Sequence, residues 1–280
     1  MATKRPKPRR RASPAPRKPP PRPRRAAEGD AGKYVYCIIR ADRPLRFGRI
    51  GIGNQPTEVH TVNHRDLAAV VSDTPLEVYD PTRENVLAHE RVNEAVMRDR
   101  TVIPMSFGTV FKTAQDIEEL LRSAYDAFRD VLIKMENKVE FGLKVLWEPG
   151  EIIAQIETQD ENLRRLSQEI SDRRGSTYFA RMQYGRLVDN LLQECSAELL
   201  GEIFGALRGV AIASRTNKPI GDKMILNAAF LVDRRGEREF DNRVKEIGER
   251  HPELQIRYTG PWPPYNFVNI RLKLERATED

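Results

Sequence analysis

Val139, Phe141, Leu143, Val145 and Trp147 alternate with Glu140, Gly142 and Lys144. A period of two places the large side chains on one face, which predicts a half-buried strand. Ile117, Leu120, Leu121, Ala124, Phe128, Val131, Leu132 and Met135 follow the 3.6-residue period of one amphipathic helix. Thr113 and Asp116 stand ahead of that stripe in capping-box spacing and mark its start. The near-continuous apolar run at 33–40 predicts a buried strand, with shorter strands at 49–52, 58–62 and 66–72. Asp80-Pro81-Thr82 opens a helix to about residue 98, with Pro81 in its first turn, and 101–107 reads as a strand.

Beyond residue 147, Glu148-Pro149-Gly150 breaks the strand. A polar amphipathic helix is expected at 160–173, ended by Gly175. A long helix at 176–208 carries Val188, Leu191, Cys195, Leu199 and Ile203 as its stripe. Strands follow at 210–215 and 223–232, the second apolar on both faces and therefore central. A helix at 237–249 presents Phe240, Val244 and Ile247, and strands are expected at 254–258 and 267–274. From residue 139 the succession is strand, long helix, two strands, helix, strand, which is the split βαβ, ferredoxin-like order. The expected fold class is α+β. A tail at 1–32 precedes an N-terminal α+β domain at 33–136 and a modified ferredoxin-like domain at 137–276, with 160–173 as a helical insertion.

Charge changes the picture at the N-terminus. Residues 1–30 hold eleven Lys or Arg against two acids, a net +9, and eight of the nineteen prolines. The whole chain is +6, so the remainder is −3, and the sequence pI of about 9.3 describes the tail. Such a segment buries too little apolar surface to offset ordering entropy and is expected to be disordered. Its basic residues attract phosphates, but no aromatic residue interleaves to stack on bases. No run reaches the roughly 18–20 apolar residues of a membrane span, and no apolar region follows the basic start as in a secretory signal. Cys37 and Cys195 sit far apart in apolar patterns and read as reduced thiols, which suits the cytoplasm.

Two short blocks stand out. Thr259-Gly260-Pro261-Trp262-Pro263-Pro264-Tyr265-Asn266-Phe267-Val268 contains three prolines that fix φ and remove backbone donors. Pro261 to Pro264 are therefore expected in neither a helix nor a central strand, but in a stiff bend holding Trp262 and Tyr265 between two strands. The second block is Val102-Ile103-Pro104-Met105-Ser106-Phe107-Gly108-Thr109-Val110-Phe111. The first resembles the C-terminal signature of the gas vesicle protein F/L family and the second its N-terminal core motif. Lys33-Tyr34-Val35-Tyr36-Cys37-Ile38-Ile39 resembles its opening strand, and the resemblance runs in order from about Lys33 to Leu274.

That resemblance implies a non-enzymatic accessory protein that helps build or line the gas-filled shell. Its partners would be the small, very hydrophobic shell protein and other accessory proteins of the system. Pro104, Phe107, Gly108, Phe111, Gly260, Pro261, Trp262, Pro263, Pro264 and Tyr265 are the motif residues and the candidate interface, though the same residues suit a packing role. The competing reading is a nucleic-acid or polyanion-binding protein acting through residues 1–30.

Catalytic patterns fall short in each case. His89-Glu90-Arg91-Val92-Asn93 has Asn where a zinc-protease helix needs its second His, so His89 is expected to face solvent. Gly51-Ile52-Gly53-Asn54-Gln55-Pro56 has Pro56 where a dinucleotide loop needs its third glycine. His60, His64, His89 and His251 are scattered, without clustered Cys or acids to complete a metal site. No catalytic residue, metal or cofactor is expected.

Overall fold

The computed structural model describes residues 31–53, 56–172 and 178–268. The tail expected at 1–32 lies outside them apart from its last two residues, and 269–274 of the expected final strand also lie outside.

β1 (Ala31–Arg40) is apolar and fully buried from Tyr34 to Ile39 because it is covered on both faces. It pairs antiparallel with β4 (Leu67–Pro75), β5 (Val102–Pro104) and the two-residue β6 (Val110–Phe111). β2 (Arg46–Arg49) and β3 (Glu58–His64) complete the sheet in the order β2-β3-β4-β1-β5, with β6 also on β1. A register shift between Val35 and Cys37 makes Tyr36 an extra residue. The bulge reverses the pleat. Tyr34, Tyr36, Cys37 and Ile39 therefore enter one apolar cluster, while Val35 and Ile38 enter another.

The second cluster is closed by the stripe that begins at Thr113, whose side chain and Asp116 form both bonds of the capping box. Where the sequence predicts one helix the structure has two, α2 (Ala114–Ser123) and α3 (Tyr125–Lys134), numbered after α1 (Arg83–Met97). Ala124 leaves helical geometry at φ −111° and ψ 19°. The break lets Ile117, Leu120 and Leu121 on one helix and Phe128 and Leu132 on the other cover the same sheet face. It also brings Tyr125 to the Asp66 carboxylate, in the turn between β3 and β4.

The second sheet has the order β10-β7-β9-β8, antiparallel throughout. Its strands are β7 (Lys138–Leu146), β8 (Ala213–Thr216), β9 (Met224–Asp233) and β10 (Gln255–Trp262). Val139, Phe141, Leu143 and Val145 are buried as their alternation requires. They face α6 (Tyr178–Arg208) and α7 (Glu237–Arg250) through Ile203, Leu207, Phe240, Val244 and Ile247. Phe240 stacks on Phe141 at 5.5 Å and meets Phe230 at 5.3 Å between centroids. This cluster is continuous with Tyr34, Tyr36 and Cys37 of the first sheet.

Between β7 and α6 lie two helices, α4 (Pro149–Gln159) and α5 (Glu161–Asp172). The sequence announces only the second. Pro149 looks like a breaker but stands in the first turn, where its missing N–H costs nothing. At the C-terminal end, β10 extends through Pro261 to Trp262, further than expected. It is an edge strand, and an extra residue between Thr259 and Trp262 keeps Pro261 out of the ladder. Phe267 lies in a turn, not in the strand expected from residue 267.

Candidate functional site

α1 starts at Thr82, whose hydroxyl accepts the Asn85 N–H. Its inner face carries Val92, Val96 and Met97, and on the same face, one turn apart, His89 and Asn93. His89 is 1% exposed and Asn93 0%. The solvent-facing position expected for His89 is thus corrected: the helix turns its polar residues inward because two segments distant in sequence supply partners.

One segment comes from the first motif. Pro104 is buried at the end of β5, opposite Cys37, at the sheet edge where its lack of an N–H is tolerated. The chain then turns through Ser106, Phe107 and Gly108, where Gly108 has φ +82°. The Gly108 N–H donates to Tyr34 Oη at 2.9 Å, and Tyr34 Oη meets His89 Nδ1 at 3.0 Å. Phe107 packs edge-on against the His89 ring at 5.9 Å. Phe111, half-buried in β6, packs against the α2–α3 cluster instead, apart from this site.

The second segment is the proline-rich one. Gly260 has φ +127°, and a Cβ there would lie 2.7 Å from Phe141 Cδ1 and 2.8 Å from the Glu140 carbonyl. Pro261 is exposed, Trp262 is half-buried opposite Glu140, and Pro263 and Pro264 are buried. The strap then crosses the second face of the sheet. Asn266 donates its backbone N–H to Glu140 Oε2 at 2.8 Å and its Nδ2 to Oε1 at 2.6 Å. Its carbonyl accepts Arg215 Nη1 at 2.9 Å. Burial raises the Glu140 pKa, and the two Asn266 bonds oppose that rise.

Held between these anchors, Tyr265 projects its hydroxyl onto α1. Oη lies 3.2 Å from His89 Nε2, accepts Asn93 Nδ2 at 3.1 Å and donates to Glu90 Oε1 at 3.0 Å. With Glu90 ionised, one proton arrangement satisfies all of these contacts. The Tyr265 proton goes to Glu90, so His89 must donate from Nε2 and accept the Tyr34 proton at Nδ1; the tautomer follows from the network. Burial pushes the His89 imidazole down to about 4, so the ring is neutral at pH 7. Burial also raises the pKa of Glu90 and Tyr265. Glu90 Oε2 and Asn93 Oδ1 are buried acceptors without a protein donor among the described residues.

The structure therefore brings together Phe107, Gly108 and Tyr265 on α1, with Pro263 and Pro264 as the buried approach to that contact. It leaves Phe111, Pro261 and Trp262 elsewhere. Sequence reasoning missed Tyr34, Glu90, Asn93 and Glu140. The one available signal was a His and an Asn a single turn apart, on a helix face otherwise apolar. Both His89 nitrogens are engaged by tyrosines, so the cluster clasps α1 to two segments distant in sequence. Among the described residues no group of three or more His, Cys, Asp or Glu could hold a metal ion, and no helix is long and apolar enough to cross a membrane.

Comparison with known proteins identifies relatives along most of the chain. Gas vesicle protein F2 of Halobacterium salinarum is 33% identical over 251 residues, covering 88% of this chain and 96% of that protein. Gas vesicle protein F of Haloferax mediterranei is 30% identical over 246 residues, covering 85% and 94%. The crystal structure of GvpF from Anabaena sp. superimposes with a TM-score of 0.74 at 24% identity, over 86% of this chain and 100% of that one, and so shares the fold. Residues 32–269 match the family described as gas vesicle synthesis protein GvpL/GvpF. That match takes in both motifs and every residue of the clasp, and the chain belongs to this family.

Proposed function

We infer that this chain is a non-catalytic assembly protein of the gas vesicle, which holds the hydrophobic shell protein until it joins the growing wall and works alongside other accessory proteins. It acts in the cytoplasm and on the vesicle. Unpaired strand edges and apolar patches on shell subunits would otherwise aggregate, and a folded partner that covers them prevents this.

The observation that carries the binding reading is an aromatic pair on the first turn of α6. Tyr178 is 66% exposed and Phe179 73%, packed edge to face at 5.6 Å, with Met182 beside them. Exposed aromatics at a helix start offer large, rigid contact area, as binding hot spots require. The proline-rich strap serves this surface indirectly, by locking the second sheet and its helices to α1. The strand order β10-β7-β9-β8, read as fourth, first, third and second of the unit, supports treating 137–276 as a modified ferredoxin-like domain beside an α+β domain at 33–136.

Capture of purified shell protein by the full chain tests the reading. Binding should survive high salt, because apolar association is not screened, and Tyr178→Ser with Phe179→Ser should weaken it by about tenfold or more. Capture that disappears at high salt would instead favour polyanion-type binding through residues 1–30.

A further inference from the structure

A cavity of about 380 Å³ opens where the two sheets meet, and cationic side chains dominate its wall: Arg40, Arg98, Arg100, Arg129, Lys138 and Arg234. Only Asp99 and Glu136 oppose them. Arg40 is paired with Asp66 and Arg129 with Asp126. Arg234 lies near the Glu237 carboxylate, whose pKa it lowers, while Arg98, Arg100 and Lys138 form no ion pair among the described residues. Three of these cations are fixed by backbone carbonyls: Arg234 Nη2 donates to Met97 O at 2.8 Å, Arg100 Nη1 to Arg40 O at 3.1 Å and Lys138 Nζ to Glu136 O at 3.2 Å. Each guanidinium keeps further N–H donors for a ligand. This concentration of positive charge belongs to the part of the chain that is −3 overall.

The remaining wall is apolar apart from Thr101 and Asn137. Met97, Ile133 and the strap residue Pro264 line it, and Ile133 is 53% exposed at its mouth. A ligand that fits must therefore bring acidic groups and an apolar group together. α1 and α3 both reach the cavity with their C-terminal ends, at Met97 and Ile133. Helix C-termini carry partial negative charge and offer no N–H groups, the reverse of what compact phosphates seek. Arginine forks match planar carboxylates bidentately as they do phosphates, and the smaller charge of a carboxylate is repelled less by the two helix ends.

We propose that this cavity is a docking site for an acidic peptide segment of a partner protein, with Asp or Glu side chains on the arginine rim and one aliphatic side chain between Met97, Ile133 and Pro264. The site is separate from the aromatic pair on α6, and its test needs no shell protein.

The probe is a fluorescent hexapeptide with a single Leu flanked by Glu and Asp, titrated into the full chain. Saturable binding should weaken steeply from roughly 50 mM to 500 mM salt. The double variant Arg98→Glu, Lys138→Glu should bind about tenfold or more weakly, since like charges then face the peptide. In the unaltered protein the Ile133 methyl resonance should shift in proportion to occupancy, a readout that does not depend on how the variant folds. Replacing the peptide's Leu with Gly should weaken binding several-fold. The proposal is overturned if no saturation is reached by about 5 mM peptide, a Kd too weak for docking. It is equally overturned by binding that leaves Ile133 unmoved, by unchanged affinity in the double variant or for the Gly peptide, or by tripolyphosphate binding more tightly than the peptide.

Discussion

Replacing Tyr265 with Phe removes one oxygen atom and leaves the ring that packs beneath α1. Three polar groups lose a partner. His89 Nε2 loses its bond while 1% exposed, leaving the Met105 carbonyl as the remaining acceptor beside the ring. Asn93 Nδ2 keeps only the His89 carbonyl at 3.3 Å. Glu90 loses its one described donor, with Oε2 already unpartnered. A buried orphan costs about 1–3 kcal/mol, less where water can enter, as it can beside the half-buried Glu90. Partial costs at the three groups together give about 2–3 kcal/mol. Tyr258 provides the comparison, because its hydroxyl bonds only Asp241, at the exposed edge. Tyr258→Phe should cost no more than about 1 kcal/mol. Guanidinium unfolding at pH 7, with midpoints compared at constant slope, measures both. If Tyr265→Phe moved the midpoint no further than Tyr258→Phe, the hydroxyl would not join the two halves and the clasp would be wrong.

Two further outcomes follow from the same geometry. His89 titrates at about 4 in the fold against an ordinary 6.5, so on acidification the unfolded chain takes the proton first. Its stabilising contribution is whole above pH 6.5 and is lost as pH falls to 4, by about 3 kcal/mol. His89→Gln should flatten that acid limb, whereas Glu90, whose pKa is raised, acts in the opposite sense; equal slopes in wild type and variant would refute the assignment. Gly260→Ala should cost more than about 2 kcal/mol, from the positive φ and the contacts with Phe141 and Glu140, and a melting temperature matching wild type would contradict the close approach.

The long periodic elements were legible because burial on one face leaves its period in the sequence. β7, α7 and the capped start of α2 are of this kind. Ala124 breaks a helix with no Gly or Pro to announce it, because the cause is the sheet face that both halves must cover. α4 was hidden by Pro149, whose effect depends on the turn it occupies. Local composition flagged Tyr265 and Gly108 but not their partners. His89 meets Tyr265 across 176 positions, and Glu140 meets Asn266 across 126. A polar residue on an apolar helix face looks solvated until the distant segment that covers it is known.

That separation bears on the order of events during synthesis. α1 leaves the ribosome after Tyr34, which can already meet His89 Nδ1, but His89 Nε2, Glu90 and Asn93 lack the hydroxyl that joins them in the finished fold. Their hydroxyl partner is made only after every strand of the second sheet has been translated. The contact thus registers completeness. A chain stopped before residue 265 can pair β10 with β7 yet has nothing to set onto α1, so unfinished copies keep an open polar seam.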